Sequence, residues 1–418
     1  MTKDKLYLLP VYIGSLKYYE KLLPYLNEKY DVRFLIVRPD DERRRGMLAY
    51  CEAHGLNSEI LDAGLSSGRI RVPFISAIIK RIAHQRACRA LFDSALKAKL
   101  VAVKATAGFK VLFREANRRG IETIVLQSAL TPPPNFYRPD ALHARPDLFH
   151  TVYYRVLSVV FFIADVLANG FKYPFISSHP TRVGVIGPEG VEIFQTRFGF
   201  NPSTITVVGN AEFQRVAELR EKVLKDNEYK ESLLKKYGLK QNKKRILIMS
   251  VWFEHHGAVR PAHLYSREET DRQIAHYCRI IEIIRSVCSE KEYEILFKLH
   301  PSEKNIYESY ASMGVLFFGD DSISEELLVL SDLYIADPCT SANYMVIASG
   351  IPAIFDNTEG LPALNKCSIF YPMIRITTNC NEFTEKVKAF KNNELELGYD
   401  TSAVNKHSID QIVEFIGR

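Results

Sequence analysis

Between Glu294 and Gly360 three apolar segments each run into small or polar residues. Ile295-Leu296-Phe297-Lys298-Leu299 leads to His300-Pro301. Leu333-Tyr334-Ile335-Ala336 leads to Asp337-Pro338-Cys339-Thr340-Ser341. Ala353-Ile354-Phe355 leads, four residues on, to Glu359-Gly360. Between the second and third, Ala342 to Ser349 carries apolar residues at helical spacing and stops at Gly350. Strand, polar turn, helix, glycine and strand, repeated in that order, constrain a chain to a parallel sheet covered by helices. In such sheets ligands meet the residues just past the carboxyl ends of the strands. His300, Pro301, Thr340 and Ser341 fall there. Thr340-Ser341 also opens a helix, whose first N–H groups are unpaired and carry partial positive charge, a place suited to phosphate.

The same grammar extends to the amino-terminal half. Leu6 to Ile13 reads as a first apolar strand followed by Gly14-Ser15. Tyr18 to Tyr30 reads as an amphipathic helix, and Val32 to Val37 as a second strand. This is how a Rossmann-like half begins, yet no GxGxxG is present and no dinucleotide site follows. Further strands are expected at Ile60-Leu61-Asp62, Leu100 to Val103, Ile121 to Gln127, Arg182 to Ile186 and Ile205 to Val208. A second series opens with Arg245 to Met249, followed by Ser250 and a polar cluster that contains Glu254, His255 and His256. The tail from Ser408 to Ile416 has helical apolar spacing.

At 418 residues the chain exceeds one ordinary core and suits two domains. A net charge of +6 fits attraction to anionic lipid or to phosphorylated substrates, or simply a slightly basic surface. No RNA-binding motif accompanies it, and no nucleic-acid partner is expected. Seven scattered cysteines, without CxxC or a Cys/His cluster, argue against both a disulfide framework and zinc. No Asp-x-Asp stands in a convincing place, so no metal is expected. Adjacent histidines on an extended backbone diverge and make a poor pair of metal ligands. Met1 to Pro10 lacks the apolar core of a signal peptide, and a reducing cytoplasm is the expected compartment.

Val156 to Ala168 is the most apolar run in the chain. It is shorter than the roughly 18–20 residues a spanning helix needs, and Asp165 interrupts it. Two readings stand: a core helix, or a helix lying in the inner-leaflet interface between Arg155 and Lys172.

The segments "KLHP" and "SDLYIADPCTSANYMVIASGIPAIF" resemble the carboxyl half of GT-B glycosyltransferases of bacterial surface-polysaccharide synthesis. That family includes polysialyl- and Kdo-transferases with a His-Pro motif and a Ser/Thr motif. Teichoic-acid glycerophosphotransferases and UDP-N-acetylglucosamine 2-epimerases are similar in outline. The resemblance implies two Rossmann-like domains facing a cleft. Residues 1–210 would form the acceptor-side domain, with the boundary after Val207-Val208-Gly209-Asn210. Residues 211–400 would form the nucleotide-sugar-binding domain, and residues 401–418 a helix returning to the first.

The same resemblance implies that Ser250, His300, Pro301, Thr340, Ser341 and Glu359 bind the donor. His300 would stabilise charge on the leaving phosphate, with Glu254 and His255 as further catalytic candidates. Several relatives carry a His-Gly pair where this chain has Gln127-Ser128-Ala129, which lacks an ordinary base. That departure counts against glycerophosphate transfer. The reading is a metal-independent transfer of sugar from a nucleotide sugar to a growing surface glycan or lipid-linked acceptor, without a bound cofactor. It competes with a UDP-sugar 2-epimerase and with a non-catalytic scaffold of polysaccharide assembly.

Overall fold

Leu6, Tyr7, Leu8 and Leu9 are all fully buried, so both faces of β1 (Asp4–Leu9) are covered. Successive strand side chains point to opposite faces. Leu6 and Leu8 accordingly join one apolar cluster with Leu16, Tyr19 and Phe34. Tyr7 and Leu9 join another with Leu35, Phe92 and Phe113. A strand buried on both sides belongs inside a parallel sheet. In the computed structural model, which describes residues 3–37, 42–61, 73–93, 97–103, 109–128, 148–250, 267–299, 313–319, 323–338, 340, 342–359, 373–401, 404 and 407–418, that is where β1 lies.

Two compact units are present. The first comprises Met1–Ala129, Ala144–Ala211 and Ile409–Arg418, and the second takes in Glu212–Ser408. The first sheet adds β2 (Tyr30–Val37), β3 (Ser58–Leu61), β4 (Ala98–Ala102), β5 (Glu122–Leu126), β6 (Arg182–Val185) and β7 (Ile205–Val207). Their order is β3-β2-β1-β4-β5-β6-β7, and every pairing is parallel. The second sheet contains β8 (Lys244–Met249), β9 (Tyr293–Lys298), β10 (Leu316–Phe318), β11 (Leu333–Ala336), β12 (Ala353–Asp356) and β13 (Ile376–Thr377). Its order is β10-β9-β8-β11-β12-β13, again with parallel pairings. In both sheets the strand order reverses beside the first strand, which creates the switch point where ligands of open α/β sheets bind.

The expected first strand, Leu6 to Ile13, is shorter than its apolar run. Pro10 follows directly, and the Ser15 hydroxyl accepts the N–H groups of Val11 and Tyr12 at 2.8 and 3.1 Å. Those bonds turn the chain into a helix that starts at Ile13. The expected helix from Tyr18 to Tyr30 is two, Ile13–Glu20 and Leu23–Lys29. The final helix, Ser408–Gly417, lies in the first unit. Its Ile412, Phe415 and Ile416 are buried in the cluster that holds Leu6 and Leu8, and Lys99 Nζ donates to the Ile416 carbonyl at 2.6 Å.

The apolar run at Val156 to Ala168 belongs to a longer helix, Leu148–Asn169. Asp165 is buried against the Pro73–Asp93 helix. Arg81 clasps its two oxygens at 2.7 and 2.6 Å, Gln85 donates at 2.6 Å, and Arg114 adds a bond of 2.9 Å. Four charge-assisted bonds meet the desolvation cost of the buried carboxylate. Asp165 therefore fixes which face of the helix points inward. Among the described residues, no helix is long and apolar enough to cross a membrane.

Candidate active site

In the second unit two acids at and just past the end of β12 meet one helix. Asp356 closes β12, and its Oδ2 lies 2.8 Å from Nε2 of His276, which projects from the Arg267–Val287 helix. Three residues beyond Asp356, Glu359 places Oε1 3.7 Å from the other ring nitrogen, Nδ1. The second oxygen of Asp356 accepts the N–H of Thr358 at 3.0 Å. That bond tightens the turn and sets Glu359 over the imidazole. The side chains of His276, Asp356 and Glu359 are 7%, 6% and 13% exposed.

Burial by itself would push the imidazole's pKa down. The hydrogen bond to Asp356, together with the charges of Asp356 and Glu359, outweighs it, and the pKa is raised above the ordinary histidine value. A protonated ring donates from both nitrogens. Within the carboxylate of Glu359, Oε2 is buried without a hydrogen-bond partner among the described residues, and so is Oγ1 of Thr358. A buried carboxylate oxygen in that condition is costly to the fold alone and suits a ligand bearing hydroxyl groups.

Thr340 follows β11. Its hydroxyl accepts the N–H of Ala342 at 3.3 Å and its carbonyl accepts the N–H of Asn343 at 3.2 Å, so it caps the Ala342–Ser349 helix. Asn343 fixes this turn by donating to the Asp337 carbonyl at 3.0 Å and accepting from the Tyr334 hydroxyl at 3.3 Å. Ser250 is buried at the end of β8. Its N–H and hydroxyl meet the Lys298 carbonyl, at 3.0 and 3.4 Å. Glu254, His255, His300, Pro301 and Ser341 lie outside the described residues. In the first unit, Gln127 Oε1 accepts the N–H of Ile186 at 3.0 Å and thereby joins the ends of β5 and β6.

Sequence reading reached Glu359 and missed both His276 and Asp356. The signal for His276 was its place four residues before Ile280, on the helix stripe that continues through Ile284 and Cys288, all buried. A polar residue on a buried stripe needs a partner. The signal for Asp356 was a carboxylate ending an apolar strand.

Among the described residues, no group of three or more His, Cys, Asp or Glu side chains forms a metal-binding cluster. Two parallel doubly wound sheets in one chain define the GT-B fold. No family model and no curated protein sequence matches the chain. Solved structures match over its whole length. The chain is similar to UDP-GlcNAc 2-epimerase from Neisseria meningitidis bound to UDP-GlcNAc (TM-score 0.58, 11% identity, 99% of each chain). It is similar to the wall teichoic acid polymerase TagF (TM-score 0.53, 14% identity, 99% of this chain and 88% of that one). It is also similar to a glycosyltransferase from Rickettsia africae (TM-score 0.51, 11% identity, 100% and 98%). At these identities the likeness carries the fold.

Proposed function

We propose that this chain binds a nucleotide sugar on its second unit and transfers the sugar to a growing bacterial surface glycan, of capsule or lipopolysaccharide type, or to its lipid-linked precursor. One observation carries the reading: Glu359, at the carboxyl end of the second sheet, holds a buried carboxylate oxygen unpaired by any described residue. A ribose or sugar diol is the ligand chemistry that would satisfy it. The turn at Thr340, which holds the N–H groups of Ala342 and Asn343, fixes the helix start whose positive end would face the donor's phosphates. His300, just beyond β9, is assigned to the leaving oxygen, with Ser250, Pro301 and Ser341 beside the phosphates and Glu254 and His255 as further catalytic candidates.

In the reaction the bond from the anomeric carbon to phosphate oxygen breaks and the nucleotide leaves with the electron pair. The acceptor hydroxyl attacks that carbon and gives its proton to a base. The reaction is written without a metal or cofactor. Gln127 is occupied in holding β5 to β6, which supports a base elsewhere in the chain.

A second reading, a UDP-sugar 2-epimerase, is favoured by the structural likeness to the Neisseria enzyme. Calorimetric titration with a panel of nucleotide sugars, followed by product analysis with and without a glycan acceptor, separates the two. Transfer consumes the donor only when acceptor is present. Epimerisation proceeds without one. Absence of nucleotide-sugar binding would remove both.

A further inference from the structure

Asp165 is locked inward, and that leaves the opposite side of its helix facing solvent. Val156, Val159, Ile163 and Leu167 recur at intervals of three and four and so share a single stripe. They are 45%, 59%, 50% and 82% exposed. The chain continues the surface past the helix end with Phe171 and Phe175, 69% and 68% exposed. Their rings lie 5.6 Å apart, and Phe162 joins them at 6.0 Å. A monomeric soluble surface rarely carries so much contiguous apolar area without a use.

Beside this stripe a groove of about 570 Å³ runs between the Pro73–Asp93 and Leu148–Asn169 helices. Ile78, Ile82, Val160 and Leu167 line it, and Arg86 and Arg89 stand in its wall. Arg81 and Arg89 are paired with Asp165 and Glu115, and the balance of the remaining charge is positive. Residues 73–93 and 148–179 contain six Lys or Arg (Lys80, Arg81, Arg86, Arg89, Arg155, Lys172) and two acids, Asp93 and Asp165. Both acids are already neutralised within the fold, Asp165 by Arg81 and Arg114 and Asp93 by Arg119. Arg86 and Lys172 are exposed.

We propose that this surface docks on an anionic lipid bilayer. The Leu148–Asn169 helix lies parallel to the membrane plane, its stripe and the Phe171–Phe175 turn enter the headgroup boundary, and the groove receives an acyl chain. Arg86 and Lys172 meet the lipid phosphates. Apolar insertion supplies the binding and the cations select the anionic surface, the division of labour of an interfacial helix. The proposal is independent of the sugar chemistry in the second unit.

The test is vesicle flotation of the whole chain. Vesicles are phosphatidylcholine alone or phosphatidylcholine with phosphatidylglycerol. The wild type is compared with a Leu167→Ser/Phe171→Ser variant and an Arg86→Glu/Lys172→Glu variant. All four positions are exposed, so melting temperatures should match the wild type. The wild type should float with the anionic vesicles, less so as salt rises. The serine variant should partition at least about tenfold more weakly. The glutamate variant should lose the preference for phosphatidylglycerol. A wild type that ignores anionic vesicles, or a serine variant that floats as well, overturns the proposal. So does a wild-type dimer that the serine substitutions convert to monomer, since the stripe would then be covered by a second copy of the chain.

Discussion

His276 and Asp356 lie 2.8 Å apart and tie the middle of a helix to the end of β12. Because the imidazole gains more from its two carboxylates than burial costs it, its pKa is raised above 6.5 in the folded protein. A raised folded pKa means that protons bind more tightly to the folded than to the unfolded state. The stabilisation is therefore complete below about pH 6.5 and is lost as pH rises through the folded value. Thermal midpoints recorded across about pH 6 to 9 should fall with pH in the wild type. The His276→Gln variant should lose that component of the slope, and identical slopes would show that the pair does not titrate.

Glu359→Gln separates a binding role from a structural one. A carboxylate that serves the fold should cost stability when neutralised. Oε2 of Glu359 has no hydrogen-bond partner among the described residues, so above the folded pKa of His276, where the carboxylate no longer faces a charged imidazole, removing its charge should leave the melting temperature unchanged or raise it. Nucleotide-sugar affinity should fall roughly tenfold to a hundredfold, the worth of about one or two hydrogen bonds to a charged group. A destabilised variant that binds normally would place Glu359 among structural residues.

Asp165→Asn tests the anchor beneath the exposed stripe. Replacing the carboxylate leaves the guanidinium groups of Arg81 and Arg114 without their buried counter-charge. Breaking one partner of a buried ion pair costs roughly 3–5 kcal/mol. Chemical denaturation should report a loss of that order in the first unit. A change below about 1 kcal/mol would mean the pair behaves as an ordinary surface bridge.

Gly184→Ala probes the packing of β6. An added Cβ would sit 2.8 Å from Val208 Cγ2, 2.9 Å from Leu126 Cδ2 and 3.2 Å from Phe415 Cε1. Overpacking of this kind costs roughly 1–3 kcal/mol. Adding Val208→Ala removes the tightest of the three contacts. The double variant should be more stable than the sum of the two single losses, and strict additivity would count against the packing explanation.

Most of the fold was legible in the sequence because buried parallel strands read as unbroken apolar runs closed by turn residues, as Ile295 to Leu299 does. β13 was not. It has two residues, Ile376 and Thr377, and exists only through its pairing with Phe355 and Asp356. Asp165 was visible as a flaw in an apolar run. Its meaning depends on Arg81 and Arg114, which lie 84 and 51 residues away, and no local pattern announces such partners. The same distance problem hid the candidate site. Glu359 stood out after its strand, whereas His276 acquires a role only when the sheet brings Asp356 against its helix.

The place of the final helix has a consequence for how the protein is made. The core that contains Leu6 and Leu8 also contains Ile412, Phe415 and Ile416. These residues are translated only after the whole of the second unit, about two hundred residues beyond β7. At roughly 5–20 residues per second, the about two hundred residues of the second unit delay them by on the order of 10–40 s. During that interval the first sheet has been synthesised with part of its apolar face uncovered, while the second unit already has all the residues of its own sheet. Vectorial synthesis thus reverses the order of completion, and the half translated first is finished second. The nascent first unit is the natural client of a chaperone, and lesions in the Ser408–Gly417 helix damage the core around β1.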